Sequence, residues 1–485
     1  MAFDDAVLVV VGKVYIQWDV DWVEETDWLL LEGFRVERAL VDPLRSLARL
    51  GQSPTGSATV RVDNRDGRYS TTKAGSPAAT YGIYNKPVRV EAGYYDPSSG
   101  EVVARIFSGR IAGIRGGEVE GEATLTCRDG AGDFDRQLVS TQMNHDVETR
   151  DWITTLLEEA GYTPGAGEIE YSHGVIPFAY ADRDNAWQEV LSAAASEGGS
   201  VFADLNGVVR FWPYTHWLGT SEEHTWGVSL YQELQADYDH YNTFNVVSVE
   251  YEPRQVSRES VVYNLRRTIS IPVGETKTET LVLSKPLDQF TGYEMLAVTG
   301  GGEDITDDVT IDSVEPTSAQ SWTITFTNAN TRHGAFITKF TVSGRALEGR
   351  PSETYTSDPD DLAGTTEARE LALGGNWYIQ TEEQAELLGE LTRQRLSESP
   401  LVLHIQGMPF DPDLELGQKI TVTSGSGMAI NTTGVAIRIQ VRGLLPLLMD
   451  VDVAGYERFY GFPDDEFFII GTSHLSTVDG GRCVY

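Results

Sequence analysis

The sequence predicts a mainly β chain interrupted by an α+β segment and carrying an inserted β-sandwich. Three observations lead there. Residues 34–140 read as short strand-like runs with turn signals about every ten residues. Across 146–240 the apolar spacing switches to the helical period. From about 256 to 370 the chain is polar, Thr-rich and again strand-rich. At 485 residues it exceeds a single core, so two to four domains are expected. The 48 glycines, 21 tyrosines and 10 tryptophans suit many short strands joined by tight turns.

The elements follow in order. Ser57-Ala58-Thr59-Val60-Arg61-Val62 alternates small or apolar with polar residues and runs into Asp63-Asn64-Arg65-Asp66-Gly67. Asp-Gly there supplies the left-handed backbone of a tight hairpin. Further strands are expected at 87–94, 102–106 and 122–127, giving a barrel or sandwich. Asp146 can cap a helix whose apolar face is Trp152, Ile153, Leu156, Leu157 and Ala160, and Gly161 stops it. A second helix begins after Asp184, buries Trp187, Val190, Leu191, Ala194 and Ala195, and ends at Gly198-Gly199. Asn206-Gly207 between 201–204 and 208–212 is a strong hairpin signal. Two helices on a small antiparallel sheet make an α+β domain over about 146–240.

Asn245–Tyr251 reads as a strand. The strands at 280–283, 322–326 and 337–342 fit an inserted β-sandwich over 256–370. A third helix opens on the capping box Thr381-Glu382-Glu383-Gln384 and buries Leu387, Leu388, Leu391 and Leu396. Strands return at 401–406, 418–423, 436–441 and 447–453. From Tyr460 the periodicity ends, and a docking tail is expected. No repeat has a solenoid or propeller period.

Lys plus Arg number 37 against 73 Asp plus Glu, so the net charge is 37 − 73 = −36. A nucleic-acid binder needs a basic footprint to displace phosphate counterions, and an acidic surface is repelled by anionic lipid. The acidity suits a conduit through which DNA slides without sticking, and equally a large protein kept in solution. Cys127 and Cys483, 483 − 127 = 356 positions apart, make neither a disulfide framework nor a zinc cluster. Val7–Val11 is too short for a signal-peptide core, and no run reaches the roughly 20 apolar residues of a membrane span. A soluble protein assembled in a reducing cytoplasm is expected.

Chemistry is nowhere concentrated. A nucleophile elbow needs Gly-x-Ser-x-Gly; Gly51-Gln52-Ser53-Pro54-Thr55 lacks the second glycine and Ser424-Gly425-Ser426-Gly427 the first. The eight histidines form no His-Glu-x-x-His. His404 reads as a packed or surface residue, whereas His216 and His224, near Glu222 and Glu223, are the best metal candidates in a poor field. Asp63-x-x-Asp66-Gly67 resembles a calcium loop, but alignment puts Val62 where the first carboxylate is required. The acid runs 303–308 and 358–361 read as solvated loops. Gly300-Gly301-Gly302 precedes acids, not a basic helix start, so it is a poor phosphate cradle. Trp152 and Trp187 fall on helix core faces, where packing accounts for them better than sugar stacking. No catalytic, cofactor-binding or metal residue is assigned, no cofactor is expected, and the chain is read as a non-enzyme.

The stretch from Ala58-Thr59-Val60-Arg61-Val62-Asp63-Asn64-Arg65-Asp66-Gly67 to Arg68-Tyr69-Ser70, followed by Pro87-Val88-Arg89-Val90, resembles the first barrel of phage minor tail and baseplate hub proteins. Phe107-Ser108-Gly109-Arg110-Ile111 and Ala123-Thr124-Leu125-Thr126-Cys127-Arg128-Asp129 continue the likeness. So do the helix ending Leu156-Leu157-Glu158-Glu159-Ala160-Gly161 and the segment Phe202-Ala203-Asp204-Leu205-Asn206-Gly207. Val342-Ser343-Gly344-Arg345-Ala346-Leu347 and Leu414-Glu415-Leu416-Gly417-Gln418-Lys419-Ile420 are similar to later landmarks, with Gln418 where Asp is more usual.

The resemblance implies two small tube-forming β-barrels per chain and a homotrimer closing a pseudo-sixfold ring. That ring would continue the tail tube, adapt sixfold to threefold symmetry and line the DNA exit channel. Its implied partners are a distal tail protein or tail-tube ring, a central fibre or spike and the tape-measure protein. DNA would pass through the lumen without specific binding, and no membrane insertion is expected. The implied location is the virion tail tip, after assembly in the host cytoplasm. The expected domains are 1–145 (first tube barrel with an N-terminal extension), 146–240 (α+β), and 241–255 with 371–459 (second barrel, with helix 381–397). The sandwich at 256–370 interrupts the second barrel, and a docking tail occupies 460–485. A receptor- or carbohydrate-binding tail protein, using the 256–370 insert, is the alternative; a cell-wall hydrolase ranks lower. Many relatives extend into a C-terminal peptidase or lysozyme domain; because the sequence stops at Tyr485, that activity is expected on another protein.

Overall fold

The computed structural model describes residues 9–40, 55–97, 100–117, 121–217, 222–238, 243–357, 368–396, 401–425, 430–455, 467–469 and 482–484. Its organising element is one sheet of 13 strands. From one end it runs Glu233–Tyr238, Leu401–Pro409, Leu448–Gly455, Asn431–Arg442, Leu29–Ala39, Ser57–Asp63, Glu122–Asp129, Gly100–Gly117, Pro87–Asp96, Val9–Gln17 and Trp22–Glu24. Lys419–Thr423 branches from Asn431–Arg442 and carries Glu222–Trp226 in parallel on its far side. The sheet thus joins an N-terminal module of seven strands to a C-terminal module of six. The two meet where Arg438–Arg442 pairs antiparallel with Arg35–Ala39.

Side-chain alternation explains why these segments are strands. Ala58, Val60 and Val62 point inward with no more than 1% exposure, while Thr59 and Arg61 face out. They join Val14, Ile16, Val88, Val90, Leu125 and Cys127 in a core that runs on through Leu403, Ile405, Ile439, Val451 and Val453. At roughly 1.5–3 kcal/mol per buried aliphatic side chain, this shared core is the main cohesive term for both modules.

The turn at Asp63–Gly67 is not a hairpin. Gly67 adopts φ 68° and its N–H reaches the Asn64 carbonyl at 2.8 Å, so the turn chemistry is as read. Ser57–Asp63, however, pairs with Leu29–Ala39 and Glu122–Asp129. The chain after the turn leaves the sheet because Tyr69 is drawn under the module, its ring buried and its hydroxyl on Glu25.

Helices Thr149–Glu159 and Ala186–Ser196 pack over the hairpin Ser200–Ala203/Val209–Trp212, burying Trp152, Leu156, Trp187, Val190 and Phe211. Asp146 does not cap the first helix: it lies in the strand Asn144–Glu148, and Glu148 precedes the helix without a side-chain cap. Thr149 and Arg150 donate their free N–H groups across to the Gly174 carbonyl and Ser172 Oγ instead. Asn185 caps the second helix through Gln188 N–H.

The insert consists of a five-stranded and a three-stranded sheet whose inner faces share Ile271, Leu281, Ile324, Phe326, Ile337 and Phe340. The strand Val246–Tyr251, expected in the second barrel, pairs with Glu353–Thr356 and Glu370–Leu373 in a separate three-stranded sheet. Helix Glu382–Leu396 covers that sheet through Ala385 and Leu388. The capping box closes reciprocally: Gln384 N–H reaches Thr381 Oγ1 and Thr381 N–H reaches Gln384 Oε1. In its place Glu222–Trp226 and Glu233–Tyr238, read as part of the 146–240 segment, supply strands to the second module. Of the expected docking tail, Phe467–Ile469 and Arg482–Val484 form a short parallel pair; the rest lies outside the described residues.

Candidate functional site

The fold offers surfaces rather than a reaction centre. At one end of the large sheet, Val9–Gln17 is bonded along eight positions to Pro87–Asp96, but its other edge meets Trp22–Glu24 only at Tyr15, Ile16 and Gln17. Around this end Val20 is 76% exposed. At the other end Glu233–Tyr238 is bonded, among the described residues, on one side, to Leu401–Pro409, and turns Glu233, Gln235 and Asp237 outward. Unpaired strand edges are templates for another chain, and their charges limit which chain can add.

The seam between the modules is charged and closely packed. On the outer face Arg438 donates to Glu37 (2.8 Å) and Asp452 (3.1 Å), and Gln440 donates to the same Glu37 (3.1 Å). His404 Nδ1 lies 2.8 Å from Asp452, which with burial opposing holds the imidazole pKa above its ordinary value. Arg38, almost wholly buried, pairs with Glu415 across the modules. On the inner side Leu444, from the loop after Asn431–Arg442, enters a hole left by two glycines. A Cβ on Gly12 would stand 2.2 Å from Leu444 Cδ2, and one on Gly33 would stand 2.8 Å from its Cγ.

Below the N-terminal module a fully buried carboxylate gathers the loops. Glu25 accepts from Trp18 Nε1 (2.6 Å), Arg68 Nε and Nη2 (2.6 and 2.7 Å) and Tyr69 hydroxyl (2.9 Å). Where this module meets the α+β domain, Asp129 accepts from the N–H groups of Gly56 (2.6 Å) and Ala131 (3.1 Å). Burial pushes the Asp129 carboxyl up to about 7 against those bonds. Glu197, taking the Gly174 N–H at 3.1 Å, is likewise pushed to about 7 by burial.

The residues weighed for chemistry are dispersed. His216 stacks on Trp212 at 4.1 Å and bonds Glu170, whereas His224 bonds Gln418 and faces Asp411 at 3.4 Å, so no common centre joins them. Among the described residues no group of three His, Cys, Asp or Glu could hold a metal. Asp63, Asn64 and Asp66 spend their side-chain oxygens on the N–H groups of Arg65, Tyr69 and Arg68. Asp304 and Asp308 accept from Thr306 and Asn330. Gly302 closes a turn on Thr299. Trp152 and Trp187 are buried in the helix core. Ser424 Oγ accepts from Ile430 N–H, while Ser426, Gly427, residues 51–54 and residues 358–361 lie outside the described set. Asp129 was quoted only as the last residue of a motif, and Glu25 and Glu197 were not singled out in the sequence, where one acid among 73 carries no mark of its burial.

No protein-family model matches the chain, and no curated protein is similar to it in sequence. Among solved structures it is similar to the 43 kDa tail protein of prophage MuSo2 from Shewanella oneidensis. That likeness covers 92% of this chain and 99% of that one, with a TM-score of 0.51 and 10% identity. It is also similar to the tail protein from Neisseria meningitidis MC58, over 92% and 96% of the two chains, with a TM-score of 0.50 and 10% identity. At such identity the likeness is one of chain path, and it extends over nearly the whole molecule. The fold is therefore that of phage tail proteins, as the turn motifs implied.

Proposed function

We propose that the chain is a structural subunit of a phage tail tip, three copies of which close a ring of six β modules. The reading rests on one observation: two β modules, fused into a single sheet, end among the described residues in an incompletely paired edge at each side. Three such units supply six sectors, and neighbouring chains satisfy the open edges. The ring continues the tail tube, adapts sixfold to threefold symmetry and encloses the DNA exit channel. An excess of 36 acidic charges suits a wall along which DNA slides without adhering. Its partners are a distal tail protein or tail-tube ring above and a fibre or spike, with the tape-measure protein, below. The role is non-catalytic.

Light scattering of the purified chain, with images of assembled tails, tests the reading. A threefold ring at the tail tip is expected. A chain that stays monomeric, with no threefold contact in tails, overturns it. Peptidoglycan zymography of the folded chain should show no clearing; clearing would reverse the non-catalytic assignment.

A further inference from the structure

Two buried charges of opposite sign lie on either side of one glycine without meeting. Arg395, in the last turn of helix Glu382–Leu396, is 5% exposed, and its Nε and Nη2 have no hydrogen-bond partner among the described residues. Burial alone, with no acid to offset it, pushes the guanidinium pKa down to about 10. Glu197, 3% exposed at the end of helix Ala186–Ser196, takes Gly174 N–H on one oxygen at 3.1 Å, while its buried Oε1 has no partner among the described residues. Thr149 and Ser172 also support this carboxyl, and Glu148 and Tyr214 are the other titratable groups near it. A buried charge without a counter-charge is costly.

Gly198 stands between the two. A Cβ built there would lie 3.8 Å from Arg395 Nη1 and no closer than 3.6 Å to Leu388. The Cα of Glu197 is therefore within about 9 Å of Nη1, a gap that a glutamate side chain and one hydrogen bond nearly span. Gly198 holds a left-handed φ of 70°, which a glycine leaves or enters without a Cβ penalty. The turn bonds around it, Glu197 N–H to the Ala194 carbonyl and Gly198 N–H to the Ala195 carbonyl, are long at 3.3 and 3.2 Å. Gly199 is pinned instead: a Cβ there would come within 2.8 Å of Phe211 Cε2 and 2.9 Å of the Trp212 carbonyl. Freedom to move in this turn thus falls to Glu197 and Gly198.

We propose that the Glu197–Gly198 turn is a two-position latch: in its second position the Glu197 carboxylate leaves Gly174 and pairs with Nε and Nη2 of Arg395, tying the α+β domain to helix Glu382–Leu396. Those two N–H groups form the guanidinium edge that takes a carboxylate through parallel bonds. In the first position each charge bears its burial alone; in the second each offsets the other. The Glu197 carboxyl, pushed up to about 7 by burial, loses its proton as pH rises through that value, and only the ionised form gains from Arg395. The latch therefore closes above about pH 7 and opens below it. The inference concerns a single chain and does not depend on ring closure.

Hydrogen exchange of the full chain, read by mass spectrometry and corrected for the intrinsic rate at each pH, tests it. Protection of the peptide that contains Gly174 should fall at least about threefold between about pH 5.5 and about pH 8, as Glu197 withdraws its acceptor. Glu197→Gln cannot ionise and should keep that protection constant across the interval. Arg395→Met replaces a buried, unpaired charge with an apolar chain of similar length, so it should fold, and it too should hold protection constant. A parent chain whose protection does not change overturns the latch. A fall that persists in Arg395→Met also overturns it, since ionisation of Glu197 would then act without Arg395.

Discussion

If the two modules act as one rigid unit, the contact of Leu444 with Gly12 should be measurable as a coupling energy. Leu444→Ala removes a partly buried side chain from the seam, a loss of about 2–3 kcal/mol at the lower end for such truncations. Gly12→Ala adds a methyl 2.2 Å from Leu444 Cδ2 and 3.1 Å from Phe34 Cε1, both inside normal carbon contact. Gly12 lacks the positive φ of Gly33, so the substitution tests packing rather than backbone strain. Overpacking of this kind costs about 1–3 kcal/mol. In the double variant the added methyl enters the space that Leu444 vacates. Its total cost should therefore stay near that of Leu444→Ala alone, a coupling of about 1–2 kcal/mol. Urea titrations of all four proteins, followed by tryptophan fluorescence, provide the cycle; Trp18 and Trp28 report the N-terminal module. Strict additivity, or a Gly12→Ala variant as stable as the parent, would falsify the interlocked seam.

Two further outcomes follow from buried carboxylates. Glu25→Gln keeps the shape but leaves Arg68 without its counter-charge and loses acceptor capacity for Trp18 and Tyr69, so it should cost about 3 kcal/mol; a melting temperature unchanged from the parent would contradict the assigned role. Asp129 has a folded pKa raised to about 7 from 3.8, so its contribution is fully present below the unfolded value and disappears as pH rises through about 7. Relative to Asp129→Asn, the parent should therefore lose on the order of 2 kcal/mol between about pH 5.5 and about pH 8. A stability difference that stays flat across that interval in paired denaturation curves would refute the assignment.

What could be read in advance was local. Alternation placed Ala58, Val60 and Val62 inside because the strand period is two and one face is buried. The capping box at Thr381 and Gln384 closed as its spacing requires. Pairing partners were not legible. Asp-Gly at 66–67 signals a turn, yet whether the chain returns beside the same strand depends on Tyr69 and Arg68 reaching Glu25, 44 and 43 positions away. Val246–Tyr251 is a strand by composition, but its neighbours come from 353–356 and 370–373, after the two sheets of the insert.

The seam also constrains how the molecule can form. Arg35–Ala39 waits for Arg438–Arg442, 438 − 39 = 399 positions later at one end of the register. Until residues 431–442 exist, the N-terminal module presents Leu29–Ala39 as an open edge on a strand of 11 residues. Long-range pairings of this kind are slow, and open edges invite wrong partners. Arg35, Glu37 and Arg38 lie along this edge, and inward- or outward-facing charges are what keep a strand from pairing indiscriminately. The same charges later acquire specific mates, Glu37 with Arg438 and Arg38 with Glu415, both in the C-terminal module. Protection of the unfinished edge and recognition of its proper partner are thus served by the same side chains. Where the two modules join as a single sheet, those charges are matched.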